Sequence, residues 1–179
     1  AIDSMGMLFQ EKEIEAALII APKGVYGNWH HKEIPDHMSD DVAVDSLLWQ
    51  PNTTQKFQKR LIQVARGSGN ALRILIMNCE ALSTKKGFGV ANDFLQMNKN
   101  SFVVVDESTT IKNRQAQRTK NIIKLGKLAK YKRILTGSPI TKNPMDLYSQ
   151  FAFLDSRILG FDSYYAFQGR YAIVTQRRF

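Results

Sequence analysis

The hydrophobic residues of this chain are concentrated in five short runs, which are mostly continuous rather than alternating. Short continuous apolar runs are typical of strands that are buried on both faces of a parallel sheet. Strands that alternate with helices along a chain predict an α/β domain with a doubly wound sheet. Strands are predicted over residues 17–21, 44–48, 73–77, 102–106 and 133–136.

The stretches between these runs carry apolar residues at helical spacing. In the last of them, "NPMDLYSQFAFLD", Asn143 is the expected N-cap and Pro144 fits the first turn. The segment "STKKGFG", residues 83–89, reads instead as a surface loop. Helices are predicted over residues 1–10, 53–67, 88–100, 115–131 and 143–155. The last helix is expected to bury Leu147, Phe151 and Leu154.

Composition suits a single globular domain, with 179 residues, 44% hydrophobic and 23% charged. The formal net charge of +9 favours polyanionic partners, nucleic acid before a membrane surface. A single cysteine, Cys79, excludes an internal disulfide and fits a reducing, cytoplasmic compartment. No apolar run approaches the ~20 residues that are needed to span a bilayer, so no membrane partner is expected.

The fourth run leads into two adjacent carboxylates, within "SFVVVDESTTIKN". In open α/β sheets, ligands bind beyond the carboxyl ends of the strands, where Asp106 and Glu107 are expected. The pattern has the form of a Walker B element. One carboxylate would hold the water shell of a Mg²⁺ bound to nucleotide phosphates, and the next would orient and deprotonate the attacking water. An ordinary strand end that enters a turn is the alternative.

The fifth run leads into "TGSP", where Thr136, Gly137 and Ser138 precede Pro139. Small hydroxyl residues on a tight turn could sense a neighbouring phosphate or carboxylate by hydrogen bonding. A routine turn is the alternative, because glycine and proline mark turns in most proteins.

The first and third runs end in residues that could follow a nucleic-acid backbone. Pro22, Lys23 and Gly24 precede an expected helix, whose first N–H groups could grip a phosphate together with Lys23. After the third run, Asn78 could contact a backbone and Glu80 could orient a loop. A standard strand-to-helix loop and plain capping are the alternatives.

Taken together, "LIIAPKGVYGNWHHKE", "ILIMNCEAL", "VVVDEST" and "RILTGSPITKNPMDLYSQFAFLD" resemble superfamily-two helicases. The resemblance is to the Swi/Snf-like DNA translocases, including their bacterial and phage relatives, and it covers nearly the whole chain. It implies a RecA-like three-layer α/β/α domain with a mainly parallel sheet. Residues 1–155 would be the first lobe of a two-lobed motor, and residues 156–179 would begin the connection toward the second lobe.

The resemblance also implies ATP and Mg²⁺ as cofactors and DNA, double-stranded, as the partner. It gives Asp106 the role of holding Mg²⁺ through water and Glu107 that of activating water, and Trp29 matches a family tryptophan. The residues implied to link the ATP state to movement are Ser108, Thr109, Thr136, Gly137 and Ser138. Those implied to lie along the DNA are Pro22, Lys23, Gly24, Asn78 and Glu80.

This chain departs from the family pattern at three points. Ser108-Thr109 stands where the family usually has Ala or Gly followed by His, and Ser138 stands where it usually has Thr. The phosphate loop G-x-x-x-x-G-K-[ST] does not occur in the sequence, and "AIDSMGMLFQ" resembles the helix that follows that loop. We therefore expect the lobe to be incomplete at its N-terminus, and inactive without the loop and the second lobe.

Two other functions stay open at this point. One is a DNA-binding or protein-binding module that kept the fold and lost ATP hydrolysis; the other is an RNA helicase of the same superfamily. The Trp29 segment and "DLYSQFAFLD" favour a DNA translocase over an RNA helicase. A metal site at His30, His31, Asp36 and His37 fits neither a zinc-finger nor an HExxH spacing.

Overall fold

The computed structural model describes residues 1–52, 54–67, 70–161 and 163–172. Its strands are β1 (Ala16–Ala21), β2 (Val44–Leu48), β3 (Leu72–Asn78), β4 (Ser101–Val105) and β5 (Tyr131–Ile134). They form one sheet in the order β2-β3-β1-β4-β5, and every neighbouring pair is parallel. The predicted α/β class with a parallel sheet is confirmed.

Helices connect the strands and cover both faces of the sheet. A short helix, α2, runs into a π-helical turn (Trp29–Glu33) and then into α3. The helices are α1 (Ile2–Gln10), α2 (Tyr26–Asn28), α3 (Ile34–His37), α4 (Gln55–Arg66), α5 (Lys85–Met97), α6 (Gln117–Gly126), α7 (Asp146–Leu154) and α8 (Tyr164–Tyr171). None of the helices in the described residues is both long and apolar enough to cross a membrane.

Successive strand residues point to opposite faces of the sheet, so each central strand contributes to two separate cores. Leu18 of β1 belongs to the core that α4, α5, α6 and α7 cover. Its neighbour Ile19 belongs to the core that α1 and the Trp29–Ile34 segment cover. The central strand β1 is therefore apolar at every position and β4 at every position except Ser101, which explains the continuous runs in the sequence. Two cores and one sheet give the three-layer α/β/α architecture that was predicted.

Two strands end earlier than predicted. β4 ends at Val105 and β5 at Ile134, so Asp106 and Thr136 lie in the loops that follow. The chain turns away from the sheet at Glu107, whose φ of +46° is left-handed. The loops still touch, because the N–H of Ser108 donates to the carbonyl of Leu135 at 3.0 Å.

The predicted beginning and buried face of α7 are wrong. The helix begins at Asp146, and the Asn143 side chain instead accepts the N–H of Met145 in the preceding turn, at 2.9 Å. The predicted face is only half-buried. The helix packs against the loop that follows β5 as well as against the core, so polar side chains with partners in that loop are buried. The buried residues of α7 are Asp146, Ser149, Gln150 and Phe153.

The predicted loop at residues 83–89 is largely helical. Helix α5 begins at Lys85, and the hydroxyl of Thr84 caps it by accepting the N–H of Gly87 at 3.0 Å. Two glycines in the first turns, Gly87 and Gly89, made the sequence resemble a loop.

Candidate functional site

Asp106 directly follows β4, and its carboxylate is held from two sides. Oδ2 accepts the indole Nε1–H of Trp29 at 2.9 Å, and Oδ1 accepts the N–H of Glu107 at 2.9 Å. The N–H of Asp106 donates to the carbonyl of Ile20 in the adjacent strand at 2.8 Å. Each carboxylate oxygen has a second lone pair, so a fixed carboxylate still has acceptor capacity for a further ligand.

Glu107 is exposed at the same edge of the sheet and occupies a left-handed conformation, with φ 46° and ψ 60°. Residues other than glycine rarely adopt this conformation, and they keep it where the surrounding contacts impose it. Here the following residue imposes it, because the N–H of Ser108 is bound to the carbonyl of Leu135 at 3.0 Å. A partly buried carboxylate and an exposed one therefore lie side by side.

The other residues expected to link the ATP state to movement lie in two loops that meet. Ser108 is buried and contacts the loop after β5, whereas Thr109 is half-buried and its carbonyl accepts the N–H of Lys112. In the loop after β5, Gly137 and Ser138 are exposed. The loop is folded on itself, since Ser138 donates its N–H to the hydroxyl of Thr136 at 3.2 Å.

The residues expected to lie along DNA gather at the ends of β1 and β3. These strands are neighbours, with Ala21 paired to Asn78, so Lys23, Asn78 and Glu80 line one groove. Asn78 also has the capping role that the sequence left open, because its Oδ1 accepts the N–H of Ala81 at 2.8 Å.

Pro22 and Gly24 form the turn that leads into α2. The carbonyl of Pro22 accepts the N–H groups of Val25 and Tyr26 at 3.0 and 2.9 Å. Gly24 is exposed, and a side chain there would meet no atom within 4 Å. The expected helix after this turn is present but short, only three residues before the π-helical turn.

Three residues belong to these sites although sequence reasoning gave them no such role. Trp29 is a core residue that is 8% exposed, and its N–H also binds Asp106. Gln150 accepts a hydrogen bond from Ser108, and Lys86 lines the same groove as Lys23. The match of Trp29 to a family tryptophan was the signal that the sequence offered for this residue. Neither Gln150 nor Lys86 lies in a motif that points to such a role.

The histidine cluster has ordinary partners in the structure. A ring nitrogen of His30 is 2.9 Å from the hydroxyl of Ser46, and burial, followed by the charges of His31 and Arg60, lowers the pKa of His30. His37 pairs with Glu33 at 3.6 Å. Across the described ranges, no group of three or more His, Cys, Asp or Glu side chains could hold a metal ion.

The carboxylates at the end of β4 fit a magnesium ion that is bound mainly through water and phosphate. Mg²⁺ keeps several of its waters and takes one or two protein carboxylates, so a full cage of protein ligands is not required. Asp106 is oriented by Trp29 and keeps free lone pairs, and Glu107 is open to solvent. The pair can thus hold a hydrated cation at one carboxylate and accept a proton at the other.

Solved structures support the fold. A Sulfolobus solfataricus SWI2/SNF2 ATPase core in complex with dsDNA superimposes with a TM-score of 0.66 at 24% sequence identity. The match covers 96% of this chain and 31% of that chain. The likeness confirms the predicted RecA-like architecture.

Curated relatives cover most of the chain at moderate identity. A Caenorhabditis elegans "SWI/SNF-related matrix-associated actin-dependent regulator of chromatin subfamily A-like protein 1 homolog" is 26% identical over 162 residues, 90% of this chain. "Protein CHROMATIN REMODELING 24" of Arabidopsis thaliana is 27% identical over 158 residues, 86% of this chain. The chain spans only 21% and 14% of the length of these relatives. Both are eukaryotic, so they give no support to a bacterial or phage source for this chain.

The comparison with protein families agrees with the motifs. Residues 1–175 match the SNF2-related domain, which is nearly the whole chain. The predicted resemblance to Swi/Snf-like proteins is confirmed, and this chain belongs to the SNF2-related domain family.

Proposed function

We propose that this chain is the first motor lobe of an ATP-driven DNA translocase, which couples ATP hydrolysis to movement along double-stranded DNA. The observation that carries the proposal is the pair of carboxylates at the end of β4, with Asp106 oriented by Trp29. Membership of the SNF2-related domain family supports the same function. So does the fold shared with an ATPase core whose structure contains dsDNA.

Each residue of the pair has a separate role in this proposal. Bound Mg-ATP would supply the phosphoryl group that is transferred to water. Asp106 would hold the metal through its water shell, and Glu107 would orient the attacking water and accept its proton. Because Glu107 is exposed, water reaches it without any opening of the core. Lys23 and Lys86, in the groove at the ends of β1 and β3, would bind phosphates of the DNA backbone.

A binding module without ATP hydrolysis is the second candidate, and Ser108-Thr109 favours it. The family usually has a histidine where this chain has Thr109, and Thr109 is tied into a local turn. An RNA helicase of the same superfamily is the third candidate. ATP turnover separates the three candidates. DNA would stimulate it in a translocase and RNA would stimulate it in an RNA helicase. A binding module would show no turnover.

The test is the substitution Glu107→Gln in the complete encoded polypeptide, assayed for ATP turnover with double-stranded DNA, single-stranded DNA and RNA. Loss of a general base costs about 10²–10⁴-fold in rate, so we expect turnover to fall by that factor. Nucleotide binding should persist, because Asp106 is unchanged. Glu11→Gln, at an exposed glutamate after α1, is the matched control.

Two outcomes would contradict the motor. A polypeptide that binds DNA without turning over ATP, and that Glu107→Gln leaves unaltered, is a binding module. Turnover that RNA stimulates and double-stranded DNA does not would identify an RNA helicase.

A further inference from the structure

The polar face of α7 contains a fully buried glutamine, Gln150, with 0% of its surface exposed. Burying an amide without partners is unfavourable, so such a residue is stable only where its donors and acceptor are satisfied. Both N–H donors of Gln150 and its acceptor oxygen have partners. Two of its three partners, Ser108 and Pro139, belong to the two loops of the proposed ATP site, and the third lies in α7 itself.

Gln150 bridges the two loops directly. Its Oε1 accepts the hydroxyl of Ser108 at 2.6 Å, and its Nε2 donates to the carbonyl of Pro139 at 2.7 Å. The second Nε2 hydrogen donates to the carbonyl of Asp146, one turn earlier in α7, at 2.9 Å, which holds the side chain in this direction. One side chain therefore connects the residue after Glu107 to the residue after Ser138.

Ser108 is linked to the loop after β5 on both sides of Thr136-Gly137-Ser138. Its backbone N–H donates to the carbonyl of Leu135 at 3.0 Å, before Thr136. Its hydroxyl reaches the carbonyl of Pro139, after Ser138, through Gln150. The segment Thr136-Gly137-Ser138 thus lies between two residues, Leu135 and Pro139, that are both hydrogen-bonded to Ser108, the first directly and the second through Gln150. A displacement of Ser108 must move both ends of the segment or break one of these hydrogen bonds.

Asp146 fixes the next part of the same loop to α7. Its Oδ2 accepts the N–H of Thr141 at 2.9 Å, the hydroxyl of Thr141 at 2.8 Å and the N–H of Lys142 at 2.8 Å. Lys112, which follows the Ser108 turn, donates to the same hydroxyl at 2.7 Å. The loop therefore has a second anchor on α7, independent of Gln150, and this anchor should survive the loss of the amide.

We propose that Gln150 is a positioning residue that makes the Glu107–Ser108 turn and the Thr136–Ser138 segment move as one unit. This inference rests on the proposed function and deepens it. The turn carries the proposed general base, and the segment is exposed on the same edge of the sheet. The bridge would transmit a change at Glu107 to that exposed segment.

The experiment compares Ser108→Ala, Gln150→Leu and Gln150→Glu in the complete encoded polypeptide. Ser108→Ala removes one hydroxyl that touches the loop only through Gln150. Gln150→Glu keeps an acceptor for Ser108 and loses the donors to Pro139 and Asp146. Val64→Ala, in the core under α4, is the control for a general loss of stability.

The first readout is amide hydrogen exchange of residues 136–140, which requires no ATP; the N–H groups of Thr141 and Lys142 are excluded because Asp146 holds them independently. Since one hydrogen bond changes a local opening equilibrium by about tenfold, we expect Ser108→Ala to speed exchange there by about that factor. Exchange rates in Ser108→Ala and Val64→Ala are compared at temperatures equally far below the Tm of each variant. If exchange in Ser108→Ala matches that of Val64→Ala, the two loops are not linked and the inference is wrong.

The second readout is ATP turnover with and without DNA. We expect Gln150→Leu and Gln150→Glu to lower the DNA-stimulated kcat by about tenfold while KM for ATP changes by less than about twofold, because the bridge acts through position rather than nucleotide contact. Equal loss in Val64→Ala would reduce Gln150 to a packing role and overturn the inference. If the wild-type polypeptide does not hydrolyse ATP, the proposed function fails, and hydrogen exchange alone decides whether the loops are linked.

Discussion

At the scale of single residues, the hydrogen bond between Trp29 and Asp106 explains how a loop carboxylate can have a fixed direction. Asp106 lies outside β4, where side chains have more freedom than in a strand. An indole N–H is a donor only, and a buried one needs a partner, so the 2.9 Å bond to Asp106 satisfies both groups. Trp29 is thus both a core residue and an orienting group.

This contact predicts the effect of Trp29→Phe. The variant keeps an aromatic ring and loses the donor, so Asp106 should become less well oriented. Loss of a group that orients a metal-binding residue typically costs about 10–100-fold in metal affinity or activity. We expect the half-saturating Mg²⁺ concentration for ATP turnover to rise by at least about tenfold. A Mg²⁺ titration of ATP turnover measures this.

The matched control is Trp49→Phe, which removes the same atoms from another buried indole. Trp49 is 2% exposed and packs edge-on against Phe57, so its truncation carries a similar core cost. An equal Mg²⁺ shift in both variants would show that the effect of Trp29→Phe is loss of stability rather than loss of orientation.

Asp146 predicts a pH-dependent contribution to stability. Burial raises the pKa of this carboxyl, but hydrogen bonds from Lys142 and Thr141 and the charge of Lys112 outweigh it, so the net pKa is lowered. A carboxyl with a lowered folded-state pKa stabilises the protein above its unfolded pKa, about 3.9, and this stabilisation is lost as pH falls through the folded pKa.

Asp146→Asn should therefore be less stable than the wild type at pH 7, by about 1.5–3 kcal/mol for hydrogen bonds to a charged group. The gap should shrink as pH falls from about 4, where the unfolded chain takes up the proton, through the lower folded-state pKa of Asp146. Urea midpoints at several pH values measure it. A gap of constant size between pH 7 and pH 3 would mean that the charge of Asp146 contributes nothing.

At the scale of elements, the first turn of α5 shows how close packing overrides helix propensity. A Cβ built at Gly87 would overlap the carbonyl oxygen of Ala81 and lie 2.7 Å from its carbonyl carbon. Ala81 begins the 3₁₀ turn that follows Asn78 and Glu80, so the glycine lets α5 approach the proposed DNA groove. At Gly89, two residues further, a Cβ would meet nothing within 4 Å.

These two glycines form a matched pair. Alanine is favoured over glycine in a helix interior by about 0.8–1 kcal/mol, so Gly89→Ala should raise stability by an amount of that order. At Gly87 the backbone cannot move cheaply, and overpacking costs about 1–3 kcal/mol, so Gly87→Ala should lower stability despite its propensity. Denaturant unfolding of both variants tests this. Stabilisation by Gly87→Ala would contradict the close approach of α5 and the 3₁₀ turn.

The accuracy with which the sequence predicted each element depended on whether apolar or polar contacts bury its residues. Mostly continuous apolar runs predicted all five strands, to within two residues at every boundary, because central strands covered on both faces need no polar side. Helix α7 was predicted with the wrong buried face, because its periodicity does not show that Gln150 and Asp146 have partners in another loop. The start of α5 was missed because glycine is common in loops and rare in helices.

At the scale of the whole molecule, the parallel sheet brings the proposed ATP and DNA residues to one edge, and the surplus of positive charge favours phosphate binding there. A parallel sheet places all carboxyl ends at one edge, so the proposed ATP residues after β4 and β5 and the proposed DNA residues after β1 and β3 share that edge. The net charge of +9 raises affinity for phosphates over the surface in general. The groove lined by Lys23 and Lys86 would be the site where DNA phosphates bind.

DNA binding should therefore depend steeply on salt. Each phosphate that is neutralised contributes about −0.9 to the slope of log K against log salt concentration. We expect Lys23→Ala to weaken binding for all sequences and to reduce the slope by about 1. Fluorescence anisotropy with double-stranded DNA at several salt concentrations measures both.

Lys99→Ala is the control, because Lys99 is exposed just before β4, at the opposite end of the strand from Asp106. It removes the same charge without touching the groove. Equal slopes for the two variants would mean that binding follows net charge alone and that the groove is not the DNA site.

The sequence by itself determined the class of fold, the family and the positions of the acidic and hydroxyl motifs. Strand burial and motif spacing can both be recognised from the order of apolar and polar residues along the chain. Only the tertiary structure decided which side chains support those motifs. Trp29 reaches Asp106 across 77 residues, and Ser108 reaches Gln150 across 42. Contacts of this kind depend on how helices dock on the sheet, and local periodicity carries no information about docking. The proposed chemistry could therefore be inferred from the motifs, whereas the parts that hold it in place became visible only in the fold.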